Sequence, residues 1–230
     1  MKFEQIRSKR WGRLLLFAFC AVLFLLAAFL IAYRDSIMAG IWFPTSTNSD
    51  EVIYNRQLVS VLKAGCPQGY FGYNESHAVI GTFSTWGPLV IWLYAIPGFF
   101  LGAGYNTMFW CNLLFAVLTW VVLAGRLSKR QQFAFAVVLL CLWIPLRQTF
   151  TATSEPLHFF LLACVVSGSL AAMQGSRKGE VAALVASALD TMIRPYGVIL
   201  FLFPMACGWK KPKKGRRIAA IVLFAMTATM

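Results

Sequence analysis

The uncharged run Leu14–Tyr33 constrains the fold more than any other feature of the sequence. It has the roughly 20 residues that an α-helix needs to cross the hydrocarbon core of a bilayer. It follows a basic leader, Met1–Arg13, that contains five Lys or Arg residues. The run lacks a small-residue cleavage site, so it is interpreted as a membrane span and not as a removable signal. The basic leader predicts a cytoplasmic N-terminus.

The composition extends this interpretation to the whole chain. Apolar residues make up 59% of the 230 residues, and the mean hydropathy is +0.68, which excludes a soluble fold. The net charge is +13. Its basic residues gather in short runs between apolar segments, as the positive-inside rule expects. The charge therefore predicts a multi-pass membrane protein whose partner is the lipid bilayer, with no nucleic-acid partner.

The first outer loop, residues 34–104, is the longest polar part of the chain. It contains the polar stretch Arg34–Thr85 and the apolar stretch Trp86–Gly104. If Trp86–Gly104 crossed the membrane, the basic runs Arg126–Arg130 and Lys210–Arg217 would both fall outside. The sequence therefore predicts that Trp86–Gly104 is an in-plane or re-entrant helix.

The rest of the chain predicts further membrane segments. The predicted spans are Thr107–Ala124, Gln132–Leu146 and Pro156–Met173, followed by a hairpin of Val181–Ile193 and Pro195–Trp209 and by the start of another span at Ile218–Met230. The predicted fold is an all-α polytopic membrane protein with about seven membrane segments, forming one transmembrane domain over residues 1–230. Because the last segment is shorter than a crossing requires, the chain is expected to be the N-terminal part of a longer protein.

An acidic pair opens the first candidate site. Asp50 and Glu51 begin a predicted helix, in which Tyr54, Leu58 and Val61 recur on one face. In a structural interpretation the pair caps the helix and favours its dipole. In a functional interpretation one carboxylate is a general base at the boundary of water and lipid, where it takes a proton from an acceptor hydroxyl or amine.

Glu155 and Arg194 are the next candidates. Glu155 precedes Pro156 at the predicted outer end of a span, where it is either an ordinary helix start or a second outer acid. Arg194 lies at the tip of the predicted hairpin, and a guanidinium can hold a phosphate by paired hydrogen bonds. Asp190, four residues earlier, offers Arg194 a local partner instead.

Three weaker candidates for substrate binding follow, namely Arg147, Glu75 and His77. His77 lies near several aromatic residues that either line a sugar-sized pocket or anchor the loop at the interface. His158, within an apolar span, is predicted to be a hydrogen-bonded core residue. The cysteines lack metal or disulfide spacing, and no phosphate-binding glycine loop, HExxH motif or nucleophile elbow is present. No dedicated metal site or cofactor is therefore predicted.

In this layout the sequence resembles the GT-C superfamily of polytopic glycosyltransferases, such as protein O-mannosyltransferases and lipid A aminoarabinose transferases. The resemblance covers roughly Leu14–Trp209. It depends on four features of the sequence. One span precedes a long outer loop that opens with an Asp-Glu pair, and Gly87-Pro88-Leu89 stands where the family often has Pro-Pro-Leu. A second outer acid and a basic residue before proline follow. The chain departs from the family in having fewer spans.

The resemblance implies specific roles for the candidate residues. Asp50 matches the loop acid that acts as catalytic base, and Glu51 is its neighbour. Glu155 matches the second outer acid, usually Asp in the family, that positions the acceptor or carrier. Arg194 matches the basic residue near the lipid-linked phosphate. Some members of the family use a divalent metal.

The expected function is transfer of a sugar from a polyprenyl-phosphate-linked donor to an acceptor on the outer or luminal face. The expected location is the cytoplasmic (inner) membrane of a bacterial cell envelope. One alternative is a truncated non-catalytic relative, or an assembly partner, of such a transferase. A transporter of lipid-linked sugars ranks last, because transporters usually hold their ionisable groups near the midplane of the bilayer.

Overall fold

The computed structural model describes residues 2–32, 34, 49–66, 88–141, 147–208, 221 and 225. These residues form helices and short connections, without a strand anywhere in the ranges given. The predicted all-α class is thereby confirmed for the described residues. Glu75, His77, the basic run Lys210–Arg217 and nearly all of Ile218–Met230 lie outside them.

The helices are numbered here in chain order. They are α1 (Lys2–Ala32), α2 (Ser49–Ala64), α3 (Pro88–Leu101), α4 (Thr107–Ala124), α5 (Lys129–Cys141), α6 (Glu155–Met173), α7 (Arg177–Ile193) and α8 (Leu202–Gly208), with a 3-10 helix over Pro195–Phe201 between the last two.

Three of the described helices are long and apolar enough to cross a membrane. They are the Leu14–Ile31 part of α1, α4, and α6, with 18, 18 and 19 residues respectively. The bounds of α4 coincide with those predicted from the sequence. Helix α3 has 14 residues, shorter than the roughly 20 of a full crossing. The structure thus supports membrane insertion through three candidate spans, and the count of seven segments stays a prediction.

The chain divides into two compact units, Met1–Leu157 and His158–Met230. In the first unit, α1 packs along α4. Leu25 and Phe29 of α1 meet Phe109 and Trp120 of α4 in a buried apolar cluster. The rings of Phe29 and Phe109 have centroids 4.8 Å apart, within the range of favourable aromatic pairs.

Helix α2 packs against α3 within the first unit. Tyr54, Leu58 and Val61 are buried, because residues at this spacing lie on one face of a helix. The predicted helix and its apolar face are confirmed. This face packs on α3 and α4.

In the second unit, α6 and α7 approach each other at two glycines. A Cβ atom built on Gly168 would lie 2.7 Å from the carbonyl oxygen of Gly179, so only glycine permits this spacing. Helix α7 ends at Arg194, whose φ and ψ of −136° and 114° are extended, as expected for a residue before proline. The following 3-10 helix packs back on α7.

Candidate functional site

The acidic pair of the first unit lies on the first turn of α2. Glu51 is 1% exposed and faces inward with Tyr54, whereas Asp50 is half-buried. Removing a carboxylate from water is costly unless other groups compensate it. The fold therefore encloses Glu51 and leaves Asp50, the residue favoured as catalytic base, more accessible to a substrate.

Glu155 is the first residue of α6 and belongs to the same unit as the acidic pair. Its carboxylate favours the helix dipole at this position. The Tyr94 hydroxyl lies 3.2 Å from the carbonyl oxygen of Thr153, two residues before Glu155. Tyr94 therefore lies close to the segment that leads into the second acid.

A buried polar network holds the segment that leads into Glu155. The Tyr94 hydroxyl donates to Asn112 Oδ1 at 2.6 Å. Asn112 Nδ2 in turn donates to the carbonyl oxygens of Thr151 and Thr153, at 2.6 and 2.9 Å. We call these four residues the Tyr94 network. Because all of them are buried, their hydrogen bonds replace the water that the backbone carbonyls have lost.

Asn55 ties α2 to the start of α4. Its Nδ2 donates to the carbonyl oxygen of Tyr105 at 3.0 Å, and its Oδ1 accepts the backbone N–H of Met108 at 3.1 Å. A free N–H group in the first turn of a helix needs such a partner. Asn106, the residue before α4, makes no side-chain cap. Asn55 thus supplies this cap from α2 and fixes the position of the helix that carries the acidic pair.

The second unit contains a separate group of polar side chains, which we call the His158 cluster: His158, Asp190, Arg194 and Tyr196. His158 Nδ1 and Asp190 Oδ1 are 2.6 Å apart, and their side chains are 18% and 0% exposed. Asp190 Oδ2 has no hydrogen-bond partner among the described residues. Gly197 lies directly against this oxygen, and a Cβ atom there would collide with it.

Arg194 and Tyr196 complete the cluster. The guanidinium donates to the Tyr196 hydroxyl and its Cζ lies 5.8 Å from the centroid of the Tyr196 ring. That ring also contacts His158 edge-on, at 5.9 Å between centroids. Tyr196 is 52% exposed, so the phenol and the guanidinium can reach a ligand from outside the protein. Guanidinium, imidazole and phenol can all donate hydrogen bonds to a phosphate.

The structure assigns partners that the sequence did not reveal. Asp190 Oδ1 lies 2.6 Å from Nδ1 of His158, a residue 32 positions away. His158 is hydrogen-bonded, as predicted, but it is not a core residue, since its side chain is 18% exposed. Asp190 and Tyr196 were missed as members of a site. The only signal for Asp190 was a carboxylate within an otherwise apolar segment.

The remaining candidates contribute less to the described structure. Arg147 is exposed on a helical turn before the buried segment of the Tyr94 network. Across the described ranges, no group of three or more His, Cys, Asp or Glu side chains is arranged to hold a metal ion. No step is therefore assigned to the divalent metal that some members of the resembled family use.

The chain matches no protein-family model, no curated protein and no solved structure. Its function is inferred below from the residues and their geometry.

Proposed function

We propose that this protein is a membrane glycosyltransferase, which transfers a sugar from a polyprenyl-phosphate donor to an acceptor on the outer or luminal face. The main support for the proposal is the His158 cluster, in which a guanidinium, an imidazole and a phenol lie together at the ends of α6 and α7. These donors suit a phosphate that is anchored in lipid.

The position of the cluster at helix ends supports this choice of substrate. The long hydrocarbon chain of a polyprenyl carrier stays in the bilayer, so its phosphate remains at the interface. His158 lies on the first turn of α6, and Arg194 directly follows α7. A transporter would hold its ionisable groups near the middle of the membrane, whereas these residues lie at helix ends.

The proposed chemistry needs a cation for the leaving phosphate and a base for the acceptor. Arg194 would bind the phosphate and stabilise the charge that develops on it as the bond to the sugar breaks. Asp50 would take the proton from the acceptor hydroxyl or amine. Glu155 would position the acceptor or carrier, and the enclosed Glu51 would orient its neighbour.

The proposal includes the finer topology. The chain would have about seven membrane segments, with α2 and the in-plane α3 on the outer side. The N-terminus would be cytoplasmic, as its basic leader favours. A bacterial cytoplasmic membrane, where polyprenyl-phosphate sugars are used on the outer face, is the proposed location.

Cross-linking in proteoliposomes tests the binding step. The probe is a photoreactive undecaprenyl-phosphate hexose with a radiolabelled sugar. Arg194→Gln should reduce labelling about 10-fold or more, since a hydrogen bond to a charged group contributes roughly 1.5–3 kcal/mol. Arg130→Gln, which removes an exposed cation from the first turn of α5, is the matched control and should label like the wild type.

The transfer step is tested separately with the same probe and native membranes as the source of acceptor. Asp50→Asn should abolish consumption of the donor while cross-linking and protein abundance stay unchanged.

Equal labelling of wild type and Arg194→Gln in the cross-linking test, or equal competition by undecaprenol and undecaprenyl phosphate, would argue against a phosphate site. Full turnover in Asp50→Asn would remove the assigned base.

A further inference from the structure

A groove of about 750 Å³ lies between α6 and α7 within the second unit. Its walls are apolar side chains, with Phe160 and Cys164 on α6 and Val181, Val185 and Leu189 on α7. Val181 and Val185 are about half exposed. An apolar groove on a membrane helix pair suits a hydrocarbon chain that lies along the helices.

The length of the groove fits one leaflet of a bilayer. Leu189 lies 11 residues after Lys178 along α7, which is a helical rise of about 17 Å. Half of the hydrocarbon core of a bilayer is about 15 Å thick. The groove is therefore about as long as one leaflet of the hydrocarbon core, and one acyl chain can extend along it.

Two cations lie at one end of the groove. Arg177 and Lys178 are exposed on the first turn of α7 and belong to its lining. With Glu180, the first turn of α7 contains two cations and one carboxylate, so its net charge is positive. Basic residues beside grooves between membrane helices are suited to anionic lipid headgroups.

We propose that this groove binds an anionic phospholipid, with the phosphate at Arg177 and Lys178 and one acyl chain extending to Leu189. The site is at the opposite end of α7 from Arg194. Both the apolar walls and the two cations determine which lipid binds. A zwitterionic lipid would fit the apolar walls, but its headgroup would be attracted less strongly by the two cations. The proposal does not depend on the transferase activity.

Native mass spectrometry of the full chain tests the headgroup. The chain is mixed with phosphatidylglycerol or with phosphatidylcholine of identical acyl chains. Wild type should retain phosphatidylglycerol in preference, and Arg177→Gln/Lys178→Gln should lower its affinity roughly 30-fold, the change expected for two interfacial cations. Arg126→Gln/Arg130→Gln removes the same charge from the connection before α5 and from its first turn, and should keep the preference.

A second variant tests the groove itself. Ala182 is exposed and lines the groove, so Ala182→Phe should fill it and weaken binding of both lipids. Ala134→Phe, at an exposed position of α5, should leave binding unchanged. The proposal is overturned if the double glutamine variant keeps its preference for phosphatidylglycerol, or if Ala182→Phe binds lipid like the wild type. It is also overturned if wild type forms a dimer that Ala182→Phe dissociates, since the groove would then bind a second copy of the chain.

Discussion

Replacing Tyr94 by Phe removes one buried hydroxyl and leaves the aromatic ring in its packing. The Tyr94 hydroxyl donates to Asn112 Oδ1 at 2.6 Å, and its second contact, the Thr153 carbonyl oxygen, is 3.2 Å away. In the Phe variant Asn112 Oδ1 loses its described donor. Tyr94 and Asn112 are fully buried, so water cannot readily replace the lost bond.

The expected loss follows from the geometry of the Tyr94 network. An unsatisfied buried polar group costs about 1–3 kcal/mol, and side-chain hydrogen bonds in a membrane protein contribute on average about 0.6 and at most about 1.7 kcal/mol. We expect Tyr94→Phe to lower the free energy of unfolding by about 1–2 kcal/mol. Asn112→Leu should lower it by about 2–3 kcal/mol, because Asn112 also serves two backbone carbonyls.

A double-mutant cycle measures the coupling between the two side chains. Each variant is unfolded in mixed micelles by titration with SDS, and helix content is followed by far-ultraviolet circular dichroism. The double variant should lose less stability than the sum of the single variants, by about 0.6–1.7 kcal/mol. The control is Tyr105→Phe, which removes the hydroxyl of a side chain that is largely exposed.

Two outcomes would contradict the predicted contribution of the Tyr94 hydroxyl to stability. If Tyr94→Phe unfolds like Tyr105→Phe, the buried hydroxyl contributes nothing to stability. If the coupling energy lies within about 0.3 kcal/mol of zero, the limit for independent sites, Tyr94 and Asn112 do not stabilise each other.

Two further predictions concern the packing of each unit, and the same unfolding assay checks them. Gly168→Ala should destabilise the chain by about 1–3 kcal/mol, since the new methyl group meets a carbonyl oxygen of α7 at 2.7 Å. Gly12→Ala, where nothing lies within 4 Å, should stabilise α1 by up to about 1 kcal/mol, since alanine favours a helix more than glycine does. A loss in Gly12→Ala equal to that in Gly168→Ala would contradict the close approach. Asn55→Ala should lower the free energy of unfolding by about 1–2 kcal/mol, because the Met108 N–H loses its cap. The control Lys63→Ala, at an exposed position of α2, should change stability by less than about 0.5 kcal/mol. A neutral Asn55→Ala would show that the cap is dispensable.

The sequence predicted the helices best where local chemistry marks their ends. Helix α4 was predicted with the bounds that the structure has, because an uncharged apolar run is bordered by Asn106 and Gly125. The break at Arg194 was visible because proline follows it. Helix α7 begins earlier than predicted, since Ser176 caps it through Gly179 and the basic residues Arg177 and Lys178 belong to its first turn.

The candidate site was predicted only in part. The positions of Asp50 and Glu51 on the first turn of a helix followed from the sequence, but the sequence could not distinguish which of them the fold encloses. That difference depends on how α2 is rotated against α3. A periodic pattern shows which residues share a face, whereas burial also depends on the partner that covers that face.

The class of the molecule and the approximate extent of its apolar helices follow from the sequence alone. Both depend on residues that are close together along the chain, on uninterrupted apolar length and on local signals such as proline and capping residues. The pairing of Asp190 with His158, and the bonds of Asn112 to the carbonyl oxygens before α6, became visible only in the folded structure. These bonds join residues 32 and 39 positions apart. Their formation depends on how whole helices pack, which no local pattern encodes.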